Sequence, residues 1–137
     1  MRTKIFLLVI DDDKNLCASI KRSLESTGKY VVHVATDGKE GLELALGLQP
    51  DVILLDMMMP QMTGPEVAYG LRNDPRTSAI PYIFLTGMLD KVGAASLIGA
   101  LPGETYLAKP ATTDEIVEAV GAVLRLDKGQ ERVALRA

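Results

Sequence analysis

The sequence has few of the residues on which several large classes of protein depend. It contains no tryptophan and only 4% aromatic residues, which argues against a base-stacking surface for single-stranded nucleic acid. A single cysteine excludes an internal disulfide and suits a reducing compartment, so we expect a cytoplasmic protein. No apolar run approaches the length of a membrane span, and we expect neither a membrane segment nor a signal peptide.

The charge balance gives no sign of a nucleic-acid partner either. Lys and Arg number 15 and Asp and Glu 18, so the formal net charge is −3, and there is no basic cluster. The 137 residues, of which 47% are hydrophobic, suffice for one domain with a substantial core. We place this domain in residues 1–126. Residues 127–137 are charged and lack a clear period, which indicates either the frayed end of a helix or the start of a linker.

Three short apolar runs end in charged residues. The runs and the residues that follow them are 5–10 before Asp11, Asp12 and Asp13, 52–55 before Asp56, and 106–108 before Lys109. Short apolar runs with polar ends are typical of buried parallel strands, and ligands bind at the carboxyl ends of such strands. We therefore expect several carboxylates and one ammonium at one edge of a sheet. Carboxylates so close repel one another, so a cation is expected among them.

Short strands alternate with helical patterns along the whole chain, which predicts an α/β fold. We predict a doubly wound, five-stranded parallel sheet with a flavodoxin-like strand order of 2-1-3-4-5. This order makes strands 1 and 3 neighbours. The predicted strands cover residues 4–10, 30–35, 51–55, 80–85 and 104–108. The predicted helices cover 14–27, 39–48 and 90–99, with two more that begin at Gly64-Pro65 and at Thr112, the last burying Ile116, Val117, Val120 and Leu124.

Four segments resemble the receiver domain of response regulators, the phosphate-accepting module of two-component phosphorelays. They are Val-Ile-Asp-Asp-Asp at 9–13, Asp-Val-Ile-Leu-Leu-Asp-Met-Met-Met-Pro-Gln-Met-Thr-Gly at 51–64, Phe-Leu-Thr-Gly at 84–87 and Tyr-Leu-Ala-Lys-Pro at 106–110. Each segment alone is a weak signal, but their order and their positions at predicted strand ends are specific. The resemblance covers about residues 4–126. Among receiver domains, the chain is similar to the single-domain, chemotaxis-type receivers.

The resemblance implies that Asp56 is the phosphoacceptor, a carboxylate nucleophile that forms an acyl phosphate. It also implies a Mg²⁺ site, with Asp12 as a direct ligand and Asp11 as a ligand either directly or through water. Asp56 and the backbone carbonyl of Met58 would supply two more oxygens to this hard ion. We interpret Asp13 as the start of the first helix and not as a ligand.

Thr86 and Lys109 are expected on the other side of the phosphoryl group, where a hydroxyl and an ammonium can contact its oxygens. In this family the threonine moves toward the phosphate, and an aromatic residue on strand 5 turns inward behind it. Tyr106 occupies that aromatic position, either as a switch residue or as simple core packing. The change would reach the surface formed by the predicted helix at 90–99, strand 5 and the last helix. The Lys109-Pro110 peptide resembles one that is commonly cis.

The resemblance therefore implies a protein that takes a phosphoryl group from a histidine kinase or phosphotransfer protein. It would hydrolyse its own phosphoryl group slowly and turn over no separate substrate, so we do not expect an enzyme. Its downstream partner would be a protein target or an output domain outside this sequence, and a second, phosphorylated copy is a further candidate.

Two other functions use similar residues. A haloacid-dehalogenase-type phosphatase also has a strand-end aspartate, Mg²⁺, a threonine and a lysine, but it needs a second aspartate where this chain has Met58. A flavodoxin-like flavin binder needs a phosphate loop rich in Ser, Thr and Gly after strand 1, where this chain has three acids. Both functions are disfavoured.

Several single residues carry weaker signals. His33 is distant in sequence from the acids, which argues against a phosphoryl carrier. We expect Cys17 to be either a packing residue or a partly exposed thiol. The methionines at 57–59 and 62 suit packing, since thioethers bind soft metals. Met58 and Met88 lie two residues after Asp56 and Thr86. In the family that the chain resembles, these positions flank the path of the hydrolytic water, so two apolar side chains there imply slow self-dephosphorylation. Residues 92–102 carry no charge and form either a short, poor helix or an apolar output face.

Overall fold

The computed structural model describes residues 3–87 and 104–136, with side chains described as far as residue 125. Within these ranges the order of strands and helices alternates as predicted. The strands are β1 (Ile5–Ile10), β2 (Tyr30–Ala35), β3 (Val52–Asp56), β4 (Tyr82–Thr86) and β5 (Tyr106–Ala108). The helices are α1 (Lys14–Glu25), α2 (Gly38–Leu48), α3 (Gly64–Arg72) and α4 (Thr113–Arg136). The predicted helix at 90–99, Met88 and the uncharged stretch 92–102 lie outside the described residues.

All five strands are parallel and follow the order β2-β1-β3-β4-β5, so the predicted fold class is confirmed. The central strand β3 is buried from end to end because helices cover both faces of the sheet. Of the helices in the described part of the chain, none combines the length and the hydropathy that crossing a lipid bilayer requires.

Alternation along the strands divides the core into two layers. Leu7 and Val9 of β1 face α1 and α4, whereas Leu8 and Ile10 face α2 and α3. The prediction for the last helix is wrong at one position, because Val117 is 36% exposed instead of buried. It lies next to Ile116 at the border of the apolar stripe, and the packing of α4 turns it outward.

The helix starts depend on side-chain caps. Asp13 caps α1 by accepting from Leu16 N at 3.0 Å, and Asp37 caps α2. Thr112 and Glu115 form a capping box at the start of α4. A second box, Thr63 with Glu66, starts α3; sequence reasoning missed it although its Thr-x-x-Glu spacing was readable.

At the C-terminal end of the described residues, α4 continues without a break to Arg136. The domain boundary at residue 126 remains a prediction.

Candidate functional site

The acidic residues meet where β1 and β3 end side by side. Ile10 pairs with Leu55 in the sheet, so the residues that follow them, Asp11 and Asp56, are neighbours. Carboxylate oxygens of Asp11, Asp12 and Asp56 all lie within 4.8 Å of one another. Asp11 is fully buried and Asp56 is 4% exposed, whereas Asp12 is exposed. Two buried carboxylates and one exposed carboxylate therefore lie together in an acidic pocket at this edge of the sheet.

Lys109 enters this pocket from the end of β5. Its Nζ lies 2.7 Å from Asp11 Oδ2 and 3.1 Å from Asp56 Oδ1, so one ammonium bridges two buried carboxylates. Burial by itself lowers the pKa of Lys109. Its hydrogen bonds to Asp11 and Asp56, together with the negative charge of these carboxylates, outweigh burial and raise the pKa above its ordinary value. Lys109 is therefore a permanent cation in this site. The Lys109-Pro110 peptide is cis.

Asp56 has a strongly perturbed acidity. Burial raises its pKa from 3.8 to about 6, because a charged carboxylate loses hydration there. The hydrogen bond from Lys109 opposes this rise, and the negative charge of Asp11 adds to it. The Met58 backbone N–H also donates to Asp56 Oδ1, at 3.3 Å. Such a shift marks a functional-site candidate.

The site fits a small, hard divalent cation. Asp11 Oδ2 is buried, and its close contact among the described residues is the ion pair with Lys109. Two further carboxylates lie within reach, and all the side-chain donors in this group are oxygens. Oxygen ligands with open coordination positions are what Mg²⁺ prefers in proteins. The residues present therefore suit Mg²⁺.

Thr86 and Tyr106 lie on one face of the sheet, beside the acidic pocket. Thr86 is the buried last residue of β4, next to Leu85, which pairs with Asp56. Tyr106 pairs with Phe84, two residues before Thr86, and its buried ring stacks on Phe84 at 5.4 Å between centroids. The sheet thus places Thr86 and the ring of Tyr106 on the same face, with Thr86 on the strand next to the one that ends in Asp56.

Sequence reasoning missed two residues next to the acids. The buried thiol of Cys17 donates to the backbone carbonyl of Asp11 at 3.2 Å, and burial raises the pKa of this thiol to about 12. Gly64 begins α3 against the strand end, where a Cβ atom would overlap the backbone oxygen of Asp56. The Thr-Gly-Pro sequence at this helix start was a readable signal for Gly64; Cys17 had none. His33 lies on β2, opposite Leu8.

The comparison with known families agrees with this geometry. The profile of the response regulator receiver domain matches residues 7–121, most of the chain. This chain belongs to the response regulator receiver domain family. It is a family of signal receivers and not a classical enzyme family.

Several proteins of known sequence or structure resemble this receiver domain. The DNA-binding dual master transcriptional regulator RpaA from Synechocystis is 40% identical over 122 residues, which are 87% of this chain and 48% of that protein. The response regulator MprA from a Mycobacterium species is 36% identical over 94% of this chain and 56% of its own length. The chain therefore spans about half the length of the curated relatives it matches.

Two solved structures are similar over nearly their full length. The chemotaxis protein CheY4 of Vibrio cholerae matches with a TM-score of 0.75 and 27% identity, over 88% of this chain and 98% of its own. A receiver domain from Francisella matches with a TM-score of 0.74 and 32% identity, over 89% of this chain and 98% of its own. Both are similar to this receiver domain in fold and in sequence.

Proposed function

We propose that Asp56 accepts a phosphoryl group from a phosphohistidine of a histidine kinase or phosphotransfer protein. One carboxylate oxygen of Asp56 attacks phosphorus, the P–N bond to the imidazole breaks, and its electron pair stays on that nitrogen. The observation that carries this proposal is the arrangement of Asp56 itself, a nearly buried carboxylate between a second buried acid and the ammonium of Lys109. The family membership of the chain supports the same step.

Each neighbour of Asp56 has a role in this proposal. Asp11, Asp12, Asp56 and the backbone carbonyl of Met58 would hold Mg²⁺, which supplies positive charge to the phosphoryl oxygens. Lys109, already 3.1 Å from Asp56, offers its ammonium to another phosphoryl oxygen. Thr86 would donate its hydroxyl, and Tyr106 would respond on the same face of the sheet. The surface around β5 and α4 would then report the phosphorylated state.

The partners follow from the same scheme. A histidine kinase donor suggests a cytoplasmic setting, in keeping with the single cysteine. RpaA is named as a DNA-binding regulator, and this chain covers 48% of it, so a DNA-binding output domain outside the given sequence is one readout. A separate target protein, or a second phosphorylated copy, is the other. The sequence contains no basic cluster, so we expect no nucleic-acid contact by this domain itself.

Labelling with acetyl phosphate and Mg²⁺ tests the phosphoacceptor directly. We expect about one phosphoryl group per chain in the wild type and none in Asp56→Asn. Asp13→Asn is the matched control: it changes a neighbouring acid that caps a helix, and asparagine caps equally well. This control should label fully. Phosphate on Asp56→Asn, or no labelling of the wild type, would contradict the proposal.

Hydrolysis of a generic phosphate ester, compared with labelling by acetyl phosphate, distinguishes a receiver from a phosphatase. A haloacid-dehalogenase-type enzyme would turn over a generic phosphate ester many times per chain, and it needs an acid where this chain has the exposed Met58. We expect stoichiometric labelling and no sustained turnover.

A further inference from the structure

We propose that Cys17 is a positioning residue for the acidic site, holding the turn of Asp11 to Asp13 through a hydrogen bond from its buried thiol. The inference rests on the proposed Mg²⁺ site and names a residue that sets its geometry. Cys17 is on the first turn of α1, touches no phosphoryl group, and would act only through the backbone of Asp11.

In the part of the chain that the structure describes, each polar atom of Asp11 has a contact. Its N–H donates to Ala35 O at 3.0 Å, and its Oδ1 accepts from Asp13 N at 2.9 Å. Its Oδ2 lies against Lys109 Nζ at 2.7 Å. The remaining atom, the carbonyl oxygen, accepts from Cys17 Sγ at 3.2 Å. Because Asp11 is fully buried, a missing donor here would leave a carbonyl without hydration.

Two hydrogen bonds join Cys17 to the turn, and only the one from the thiol depends on the type of side chain. Its backbone N–H donates to Asp13 O at 3.0 Å, while its thiol donates to Asp11 O. Asp12, the exposed member of the acidic cluster, lies between these two anchored residues. A turn held on both sides of Asp12 restricts where its carboxylate can point, which is how residues behind a metal site tune its affinity.

The residue type suits this position. Cys17 also packs in the core between α1 and the sheet, with Ile20 and Leu24 of the same helix. Space and surroundings there require a small, mostly apolar side chain, and the carbonyl requires a donor. A thiol provides both, although it is a weak donor. Serine keeps the donor, valine keeps the apolar bulk without it, and alanine keeps neither.

Mg²⁺ affinity of these three variants, measured by titration calorimetry, tests the inference. We expect Cys17→Val and Cys17→Ala to weaken binding about threefold to tenfold, and Cys17→Ser to stay within about twofold of the wild type. Ile20→Ala is the control, because it removes buried side chain from the same helix and should destabilise the fold without changing the affinity. Wild-type affinity in Val and Ala overturns the inference. So does equal weakening in Ser, or the same loss in Ile20→Ala, because packing would then explain the result.

A second measurement needs only the serine variant. A hydroxyl donates more strongly than a thiol, so the carbonyl carbon of Asp11 should shift downfield in the NMR spectrum of Cys17→Ser. An unchanged resonance overturns the proposed bond. If the wild type itself binds no Mg²⁺, the proposed function fails, whereas this resonance still tests whether Cys17 holds the turn.

Discussion

At the scale of single residues, Asp56 pairs its proposed chemistry with a cost to folding. Its folded pKa is about 6 against an ordinary 3.8, so the folded protein holds a proton that the unfolded chain releases in this range. The stabilisation that comes from protonated Asp56 is therefore fully present below pH 3.8, and it is lost as the pH rises through about 6. Asp56→Asn has no such loss. Without metal, we expect the variant to be more stable at pH 7 by about 1 to 2 kcal/mol.

Urea unfolding at several pH values between 4 and 7, in EDTA, measures this difference. The advantage of Asp56→Asn should be small near pH 4, grow toward pH 6 and then level off. The exposed cap variant Asp37→Asn should show little difference from the wild type at any of these values. An advantage of Asp56→Asn that does not change with pH would contradict the assigned cause.

Met58 gives a prediction about the lifetime of the acyl phosphate. Its side chain is 62% exposed, and its backbone N–H contacts Asp56, so this apolar chain lies at the mouth of the site. An amide in its place could orient a water molecule, which thioether sulfur does poorly. We expect Met58→Asn to accelerate decay of the phosphorylated protein several-fold, whereas Met58→Leu leaves it unchanged. The decay is measured as the loss of phosphoryl label from the protein. Equal rates for Met58→Asn and the wild type would refute this role of Met58.

At the scale of elements, Gly64 and Gly47 are both helical glycines, but only Gly64 lies in tight contact with another element. A Cβ at Gly64 would overlap the backbone oxygen of Asp56 and lie 2.9 Å from Met57 Cα, so the start of α3 or the strand end must move. We expect Gly64→Ala to destabilise the fold by about 1 to 3 kcal/mol and to slow phosphorylation. Gly47 in α2 has nothing within 4 Å of such a Cβ. Gly47→Ala should stabilise by about 0.5 to 1 kcal/mol and leave phosphorylation unchanged.

Denaturant unfolding and the rate of labelling by acetyl phosphate measure both effects. A Gly64→Ala protein that labels at the wild-type rate would show that α3 can retreat without moving Asp56.

At the scale of the whole molecule, metal binding at one edge of the sheet should stabilise the entire domain. The site joins Asp11 and Asp12, in the turn after β1, with Asp56 at the end of β3, and these residues are together only in the folded chain. Mg²⁺ at tenfold its dissociation constant should therefore raise the free energy of unfolding by about 1.4 kcal/mol. Asp12→Asn should lose this gain, and Asp13→Asn should keep it. Thermal unfolding with Mg²⁺ and with EDTA makes the comparison, and an undiminished gain in Asp12→Asn would place the metal elsewhere.

Much of the architecture could be predicted from local pattern. Apolar runs with charged ends located β1, β3 and β5, and the predicted strand order then required Asp11 and Asp56 to be neighbours. Helix boundaries were less accurate: α1 ends at Glu25 instead of residue 27, because Ser26 and Thr27 bond back to the last turn. Val117 was misplaced because periodicity gives the centre of an apolar stripe and not its border.

The sequence by itself determined the fold class and that several charged side chains share one edge of the sheet, because these follow from periodicity and from a parallel sheet having all its carboxyl ends on one side. The strand order was predicted as the common order of doubly wound sheets, and the structure has it. Only the tertiary structure decided how those charges behave. The pKa of Asp56 near 6, the bridge from Lys109 to two acids and the thiol bond of Cys17 depend on burial and on distances of about 3 Å between separate elements. Electrostatic energies change steeply over such distances, and a linear pattern of residues does not contain them.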